Sequence, residues 1–250
     1  MSKVTWQLGT VVSIVPETPR VKTFTLKLPS WTPHLAGQHY DLRLTAEGGY
    51  QAERSYSIAS PPEQAGEIEL TVEIIPDGEV SGYLSEGVAV GDQLEVRGPI
   101  GGYFVWRGEP GAPPLLLVGG GSGVVPLMAM LRHRQRLGLR TPAVLLFSVR
   151  TPEEVIYQAE LEAMAQADAS FTLLLDYTRQ APPGWAGYRR RIDAAMLAEV
   201  VARFGDARPQ AYVCGPTGLV ESVANGLQAA GLPPEMILTE RFGPTGVSSA

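Results

Sequence analysis

The run Leu115-Leu116-Leu117-Val118-Gly119-Gly120-Gly121-Ser122-Gly123 divides the chain into two kinds of pattern. Its first four residues are continuously apolar, as a strand buried on both faces requires. Its last five place four glycines around one serine, and a helical pattern from Val124 to Arg136 follows at once. Strand, glycine loop and helix start in that order bring unpaired backbone N–H groups and the positive end of a helix dipole to one point. No side chains stand in the way of a phosphate there, and this is where a parallel sheet binds a dinucleotide pyrophosphate. The spacing is not G-x-G-x-x-G, so the run is a glycine-rich phosphate loop of another type or a tight turn without a ligand. Its candidate ligand residues are Gly120, Gly121, Ser122 and Gly123.

Downstream, buried strands and helices alternate. Ala143 to Phe147 is a second apolar strand. Thr151-Pro152-Glu153-Glu154 reads as a helix start, with Thr at the N-cap, Pro at N1 and Glu at N3, for a helix reaching about Ala167. Phe171 to Leu175 is a third strand, and Asp193 caps a helix ending near Phe204. Ala211 to Cys214 is a fourth strand, Thr217 to Ala230 a helix, and Met236 to Thr239 a last strand. This alternation predicts an α/β doubly wound parallel sheet.

Upstream, the period is two. Phe24, Leu26 and Leu28 alternate with Thr25 and Lys27. Tyr40, Leu42 and Leu44 alternate with Asp41 and Arg43, and Ile68, Leu70, Val72 and Ile74 with Glu69, Thr71 and Glu73. Leu8 to Val15 and Leu94 with Val96 are further strands, and Pro and Gly clusters punctuate the series. Many short strands of this kind predict an antiparallel β-barrel or sandwich, and a barrel leaves no exposed edge. Arg107 to Pro114 is a linker by composition. The expected organisation is therefore a β-barrel domain over residues 1–108 and an α/β domain over 114–250, a comfortable division of 250 residues.

Composition removes several classes. A hydrophobic share of 44% and a charged share of 18% suit a globular chain, and a net charge of −6 gives no footprint for nucleic acid. The single Cys214 forms no intrachain disulfide and is too few for an iron–sulfur cluster, which usually takes about four Cys ligands. His34, His39 and His133 are scattered, and His34 and His39 have no nearby Cys or acidic partner at ligand spacing, so no metal site is expected. The N-terminus has no apolar signal segment, and no apolar stretch reaches the ~20 residues of a spanning helix, so no membrane and a cytoplasmic location are expected.

Four further stretches carry chemistry. Arg54-Ser55-Tyr56-Ser57-Ile58-Ala59-Ser60 joins a fixed charge, a flat ring and hydroxyls in one extended segment. Alternation sends Arg54 and Tyr56 to one side and Ser55 and Ser57 to the other, yet near a strand end all four can reach one ligand. A flavin dinucleotide has the ring, the hydrogen-bonding edge and the phosphates to match; a plain strand with an exposed Arg has the same sequence. Asp77-Gly78-Glu79-Val80-Ser81-Gly82-Tyr83-Leu84 is a turn entering a short helix, able to hold a second pyrophosphate or simply a loop. Cys214-Gly215-Pro216-Thr217-Gly218 ends the fourth buried strand, where the ligand crevice of a doubly wound sheet lies. With no His near it, Cys214 reads as a packing or positioning group rather than a nucleophile. Arg150, Arg179 and Arg189-Arg190-Arg191 follow the second and third buried strands, as solvated charges or as a clamp for the 2′-phosphate of NADP.

The order of these motifs, Arg-x-Tyr-Ser, the Gly78–Ser81 turn, the glycine loop and Cys-Gly-Pro, resembles the ferredoxin–NADP reductase superfamily. The likeness is to its bacterial two-domain FAD members and oxygenase-reductase relatives, and it covers nearly the whole chain. It implies an FAD-binding barrel and an NAD(P)-binding α/β domain. By resemblance Arg54 is an FAD pyrophosphate ligand, Tyr56 packs on the isoalloxazine, and Ser57 lies near flavin N5. Val72, Ile74, Gly78, Val80 and Ser81 complete the FAD site. Gly120 to Gly123, Cys214, Gly215 and Pro216 receive the nicotinamide dinucleotide, and Arg150, Arg179 and Arg191 its 2′-phosphate. Glu240-Arg241-Phe242 resembles the Glu-x-aromatic ending whose ring covers the flavin. Ser57, Cys214 and Glu240 are thereby the candidate catalytic groups. Two departures stand out: the loop reads Gly-Gly-Gly-Ser-Gly where the family often has Gly-Gly-Thr-Gly, and eight residues follow Phe242. The implied activity is hydride transfer from NADPH or NADH to FAD, then electron release to a separate ferredoxin, flavodoxin or oxygenase. Alternatives are an oxygenase reductase component, an iron-chelate or free-flavin reductase and, in another class, a non-catalytic flavin- or nucleotide-sensing subunit.

Overall fold

The computed structural model describes residues 4–242. Its first part is a six-stranded antiparallel sheet of β1 (Gln7–Thr18), β2 (Val21–Lys27), β3 (His39–Thr45), β4 (Gln51–Ser57), β5 (Glu67–Glu73) and β6 (Gln93–Ile100), in the order β4-β3-β6-β1-β2-β5. The two outer strands meet just beyond β4. Ile58 pairs with Leu70 in an isolated bridge, and Ala59 N–H donates to the Glu69 carbonyl at 2.8 Å. The sheet therefore curls into a barrel. Phe24, Leu26, Leu42, Leu70 and Val96 fill it, and helix α1 (Glu79–Glu86) adds Val80 and Leu84 to the same core.

The second part is a parallel sheet of β7 (Leu115–Gly120), β8 (Ala143–Val149), β9 (Phe171–Tyr177), β10 (Gln210–Pro216) and β11 (Ile237–Phe242), in the order β11-β10-β7-β8-β9. The chain steps outward from β7 to β9, then returns to the other side of β7 as β10. The switch point lies between β7 and β10, which places a ligand crevice at their carboxyl ends. Helices α2 (Val124–Arg136), α3 (Gln158–Ala167), α4 (Ala194–Ala202) and α5 (Thr217–Ala229) connect the strands. Leu116, Val118, Val144, Leu146 and Val213 bury one face of the sheet against Met196 and Val200 of α4 and Val220 and Val223 of α5. Leu115, Leu117, Leu145 and Phe147 are fully buried on the opposite face. Burial on both faces is why these strands read as unbroken apolar runs.

The chain forms two compact units. One combines the residues up to Gly108 with Met128–Leu139; the other combines Glu109–Leu127 with the residues from Arg140 onward. Most of α2 thus belongs with the barrel, although its first turn belongs with the parallel sheet.

Two local expectations fail. Thr151-Pro152-Glu153-Glu154 does not open α3: Pro152–Glu154 is an isolated 3-10 turn, with no Thr151 side-chain bond to its N–H groups. Val155, Ile156 and Tyr157 are buried first, Tyr157 in a left-handed conformation with φ of 60°, and the helix starts only at Gln158. Burial of three bulky side chains overrides the capping signal. The last strand also starts later, since Met236 ends a 3-10 turn and β11 continues to Phe242. The Asp193 cap is present, its Oδ1 accepting from Met196 N–H at 2.8 Å, although α4 stops at Ala202.

Truncation should separate the core from the surface. Leu146→Ala is expected to cost about 2–5 kcal/mol of unfolding free energy, as core leucines do. Leu8→Ala, at a side chain 48% exposed, should stay within about 0.5 kcal/mol. Urea titration of both variants checks the difference.

Candidate functional site

The barrel offers one site along β4. Register pairs Tyr56 with Tyr40, Arg54 with Leu42, Ser57 with His39 and Ser55 with Asp41. Arg54 and Tyr56 therefore share the core-facing side with Leu42 and Tyr40. Tyr56 packs half-buried against the barrel core, and burial pushes its phenol up to about 12, so it stays neutral. Arg54 is exposed, with Nη1 donating to the Glu53 carbonyl at 2.7 Å. Ser57 is 4% exposed, and its Oγ is buried with no hydrogen-bond partner among the described residues. A buried hydroxyl left alone costs about 1–3 kcal/mol, a loss that a polar group placed against it would recover. Ser55, on the same face of β4 as Ser57, is bound to Asp41. Its Oγ donates to Asp41 Oδ1 at 2.6 Å, while Arg97 Nη2 pairs with Asp41 Oδ2 at 2.6 Å. Burial alone would raise the Asp41 carboxyl, but the bonds from Ser55 and Arg97 outweigh it and hold it below the usual range.

The turn ahead of α1 is held from within. Ile75 N–H donates to Ser81 Oγ at 3.2 Å, and Ser81 Oγ donates to the Gly78 carbonyl at 3.4 Å. Asp77 takes a left-handed φ of 60°, and a Cβ on Gly78 would collide with Ser81 Oγ. Gly78 caps α1 without a side-chain bond, so no side chain satisfies the first N–H groups of the helix. The Ser81 hydroxyl shapes the turn. Val72 and Val80 are buried in the barrel core, whereas Ile74 is partly exposed.

The parallel sheet offers a second site at its switch point. After β7 the chain makes a 3-10 turn over Gly121–Gly123 and enters α2, with Gly121 at φ of 54° and Ser122 half-buried. A Cβ on Gly123 would collide with the Cys214 carbonyl, so only glycine lets this loop lie on the end of β10. Cys214 pairs with Gly119 on one side and Glu240 on the other; Pro216 pairs with Phe242 and Gly215 with Arg241. Burial, and then the Glu240 carboxylate, push the Cys214 thiol well up. It remains a neutral thiol, consistent with packing rather than nucleophilic attack. Burial also raises Glu240 to about 7, and its Oε2 has no partner among the described residues. The eight residues after Phe242 lie outside the described residues.

Arg150 follows β8 and Arg179 follows β9. Arg179 N–H donates to the Arg150 carbonyl at 3.0 Å, so the two sit side by side at adjoining strand ends. Both are exposed, as is Arg191. The run holding Arg191 is tied to β9 through buried Asp176, whose Oδ1 accepts from Arg190 N–H at 3.3 Å and whose Oδ2 accepts from Ser148 Oγ at 2.8 Å. Arg190 pairs with Asp193 at 2.7 Å, and Arg189 donates to the Trp185 carbonyl. The structure thus brings Arg150 and Arg179 together and holds Arg191 in a separately anchored loop.

Several residues that shape these sites had no signal in the local sequence. Asp41, Arg97 and Asp176 act across strands, and each reads as an ordinary polar residue where it stands. Among the described residues, no group of His, Cys, Asp and Glu could hold a metal ion, and no helix is long and apolar enough to cross a membrane.

Comparison with known proteins points the same way. Residues 9–105 match the family model of an oxidoreductase FAD-binding domain, and residues 117–225 that of an oxidoreductase NAD-binding domain. Ferredoxin–NADP reductase B of Sorangium cellulosum is 32% identical over 241 residues, covering 93% of this chain and 96% of that protein. The glycine betaine monooxygenase reductase subunit of Pseudomonas aeruginosa is 32% identical over 237 residues, covering 94% of this chain and 63% of that one. The chain spans between 55% and 66% of the length of the monooxygenase reductases it matches. The FAD/NAD-binding domain of the nitric oxide dioxygenase of Vibrio cholerae shares the fold, with a TM-score of 0.85 at 22% identity, over 95% of this chain and 99% of that one.

Glu240 sets a pH test. Its folded-state pKa of about 7 lies above the ordinary 4.5, so the folded chain holds the proton more tightly. That contribution is fully present below about 4.5 and is lost as pH rises through about 7, to the extent of about 3 kcal/mol. Glu240→Gln stays neutral throughout and should flatten this slope. Thermal melts across the window read it; a variant that tracks the wild type would show that Glu240 titrates normally.

Proposed function

The chain belongs to the ferredoxin–NADP reductase family of FAD- and NAD-binding oxidoreductases, and from that premise we propose a reductase that draws a hydride from NADPH and delivers electrons to a separate protein acceptor. The observation that carries the flavin site is the buried, unpartnered Ser57 hydroxyl beside the half-buried Tyr56 ring. Bound FAD supplies the exchange of a two-electron hydride for single electrons, which no side chain of this protein can perform. Tyr56 offers a neutral ring face, Ser57 a hydroxyl near the reacting edge, and Arg54 an exposed fork for a phosphate. Gly78, Val80 and Ser81 contribute through the uncapped start of α1. Val72 and Ile74 act as wall rather than as ligands.

At the parallel sheet, Gly120, Gly121, Ser122 and Gly123 would cradle the nicotinamide dinucleotide, with Cys214, Gly215 and Pro216 beside its ring. Cys214 sets depth as a neutral thiol. Glu240, with a carboxyl near its titration point at neutral pH, can hold or release a proton at Oε2. Phe242, at the end of β11, is the candidate cover for the flavin ring. Hydride transfer needs close, parallel rings more than an acid or base, so these residues work mainly by orientation. Arg150, Arg179 and Arg191 favour NADPH over NADH through its 2′-phosphate.

The near full-length match to a ferredoxin–NADP reductase supports a ferredoxin as acceptor; a flavodoxin would serve the same one-electron role, and the cytoplasm is the location this reading implies. The match to monooxygenase reductases supports a second reading, the same hydride step serving an oxygenase. Anaerobic mixing of the FAD-loaded protein with each nicotinamide, followed by a panel of ferredoxin, flavodoxin and oxygenase acceptors, separates them. NADPH should bleach the flavin; bleaching by neither nicotinamide would leave the sensing-subunit alternative. Arg179→Ala should raise KM for NADPH roughly ten- to a hundredfold, the loss of one charged hydrogen bond, and leave NADH use unchanged. Equal effects on both would make Arg179 an ordinary surface charge. Tyr56→Ala and Arg54→Ala should both weaken FAD retention, and normal FAD content in the two variants would place the flavin elsewhere.

A further inference from the structure

Helix α2 carries Arg132 onto the segment that closes the barrel. Its Nη1 donates to the Ala59 carbonyl at 2.9 Å and pairs with Glu69 Oε2 at 2.7 Å, with side chains only 15% and 23% exposed. Both targets belong to the closure. Ala59 N–H donates to the Glu69 carbonyl at 2.8 Å, and Glu69 N–H donates to Ser60 Oγ at 3.1 Å. The ladder here is a single bridge, Ile58 to Leu70, so individual bonds and not a repeating pattern fix the backbone just after Ser57. Arg132 supplies the charged bonds among them.

We propose that Arg132, acting with Glu69, is a positioning residue for the flavin seat. Its Nη1 alone bridges a carbonyl of the segment just after β4 and a carboxylate of β5. It thereby locks the end of β4 in the conformation that presents Ser57 Oγ and the Tyr56 ring. A lysine keeps the charge, but its ammonium sits one atom nearer the backbone than Nη1 and reaches the two oxygens less well. Loss of the guanidinium leaves the Ala59 carbonyl and the Glu69 carboxylate unpaired in a part-buried place, and the segment relaxes. The inference rests on FAD binding at Ser57 and Tyr56.

The test uses the full chain loaded with FAD, comparing wild type, Arg132→Met, Arg132→Lys and, as a control on the same helix, Arg136→Met. The readouts are the FAD dissociation constant, the visible circular dichroism of the bound flavin, and the melting temperature of the FAD-free protein. Arg132→Met should weaken FAD about tenfold and change the flavin dichroism, Arg132→Lys should weaken it about threefold, and Arg136→Met should match the wild type. A lower melting temperature for Arg132→Met with wild-type FAD affinity and dichroism would overturn the proposal, because the residue would then be structural only. If Arg132→Met does not fold, Arg132→Lys decides, and wild-type values for both flavin readouts overturn it. A wild-type protein that takes up no FAD would instead sink the flavin reading itself.

Discussion

A sheet that curls into a barrel has to join its first and last strands, and here the pairing of Ile58 and Ala59 with β5 does so. The closure begins only past Ser57, so β4 does two jobs along its length. Its end seals the barrel, while Gln51 to Ser57 pair with β3 alone. That explains a charged residue at a core-facing register position. Arg54 stands opposite Leu42, a fully buried side chain, yet is itself exposed. In a barrel sealed at this level the guanidinium would be stripped of water at a cost of several kcal/mol or more. At the unsealed edge it reaches solvent, next in sequence to a half-buried ring and a buried hydroxyl.

The parallel sheet distributes charge in a comparable way. At the ends of β10 and β11, burial keeps the Cys214 thiol neutral and brings the Glu240 carboxyl to its titration point near neutrality. At the ends of β8 and β9, Arg150 and Arg179 are exposed cations. One side of the crevice is therefore nearly neutral and the other positive.

Much of this was legible in the sequence. The change from period-two alternation to unbroken apolar runs at Leu115 separated the two sheets, because antiparallel barrel strands have one wet face and these parallel strands have none. The glycine loop was legible because close backbone approach excludes every other residue at Gly123. What escaped depends on contacts between distant residues. Ser55 is bound through its hydroxyl to Asp41, fourteen positions earlier. Ser81, expected at a phosphate, spends its hydroxyl on its own turn. The start of α3 obeyed burial of Val155 to Tyr157 rather than the capping pattern at Thr151. Arg132 and Glu69 meet across 63 positions, a distance over which single-sequence periodicity carries no information.

The half-open edge of β4 has a further consequence. A strand with unpaired N–H and C=O groups is a template for another chain's strand, the route by which sheet proteins stick to one another. Here Gln51, Glu53, Arg54 and Ser55 line that strand as exposed polar residues, and Glu53 is tied to Arg97 at 2.8 Å. Charges at this edge oppose a second β4 laid alongside. The same exposed, charged residues that leave this edge open thus also guard the chain against strand-to-strand self-association.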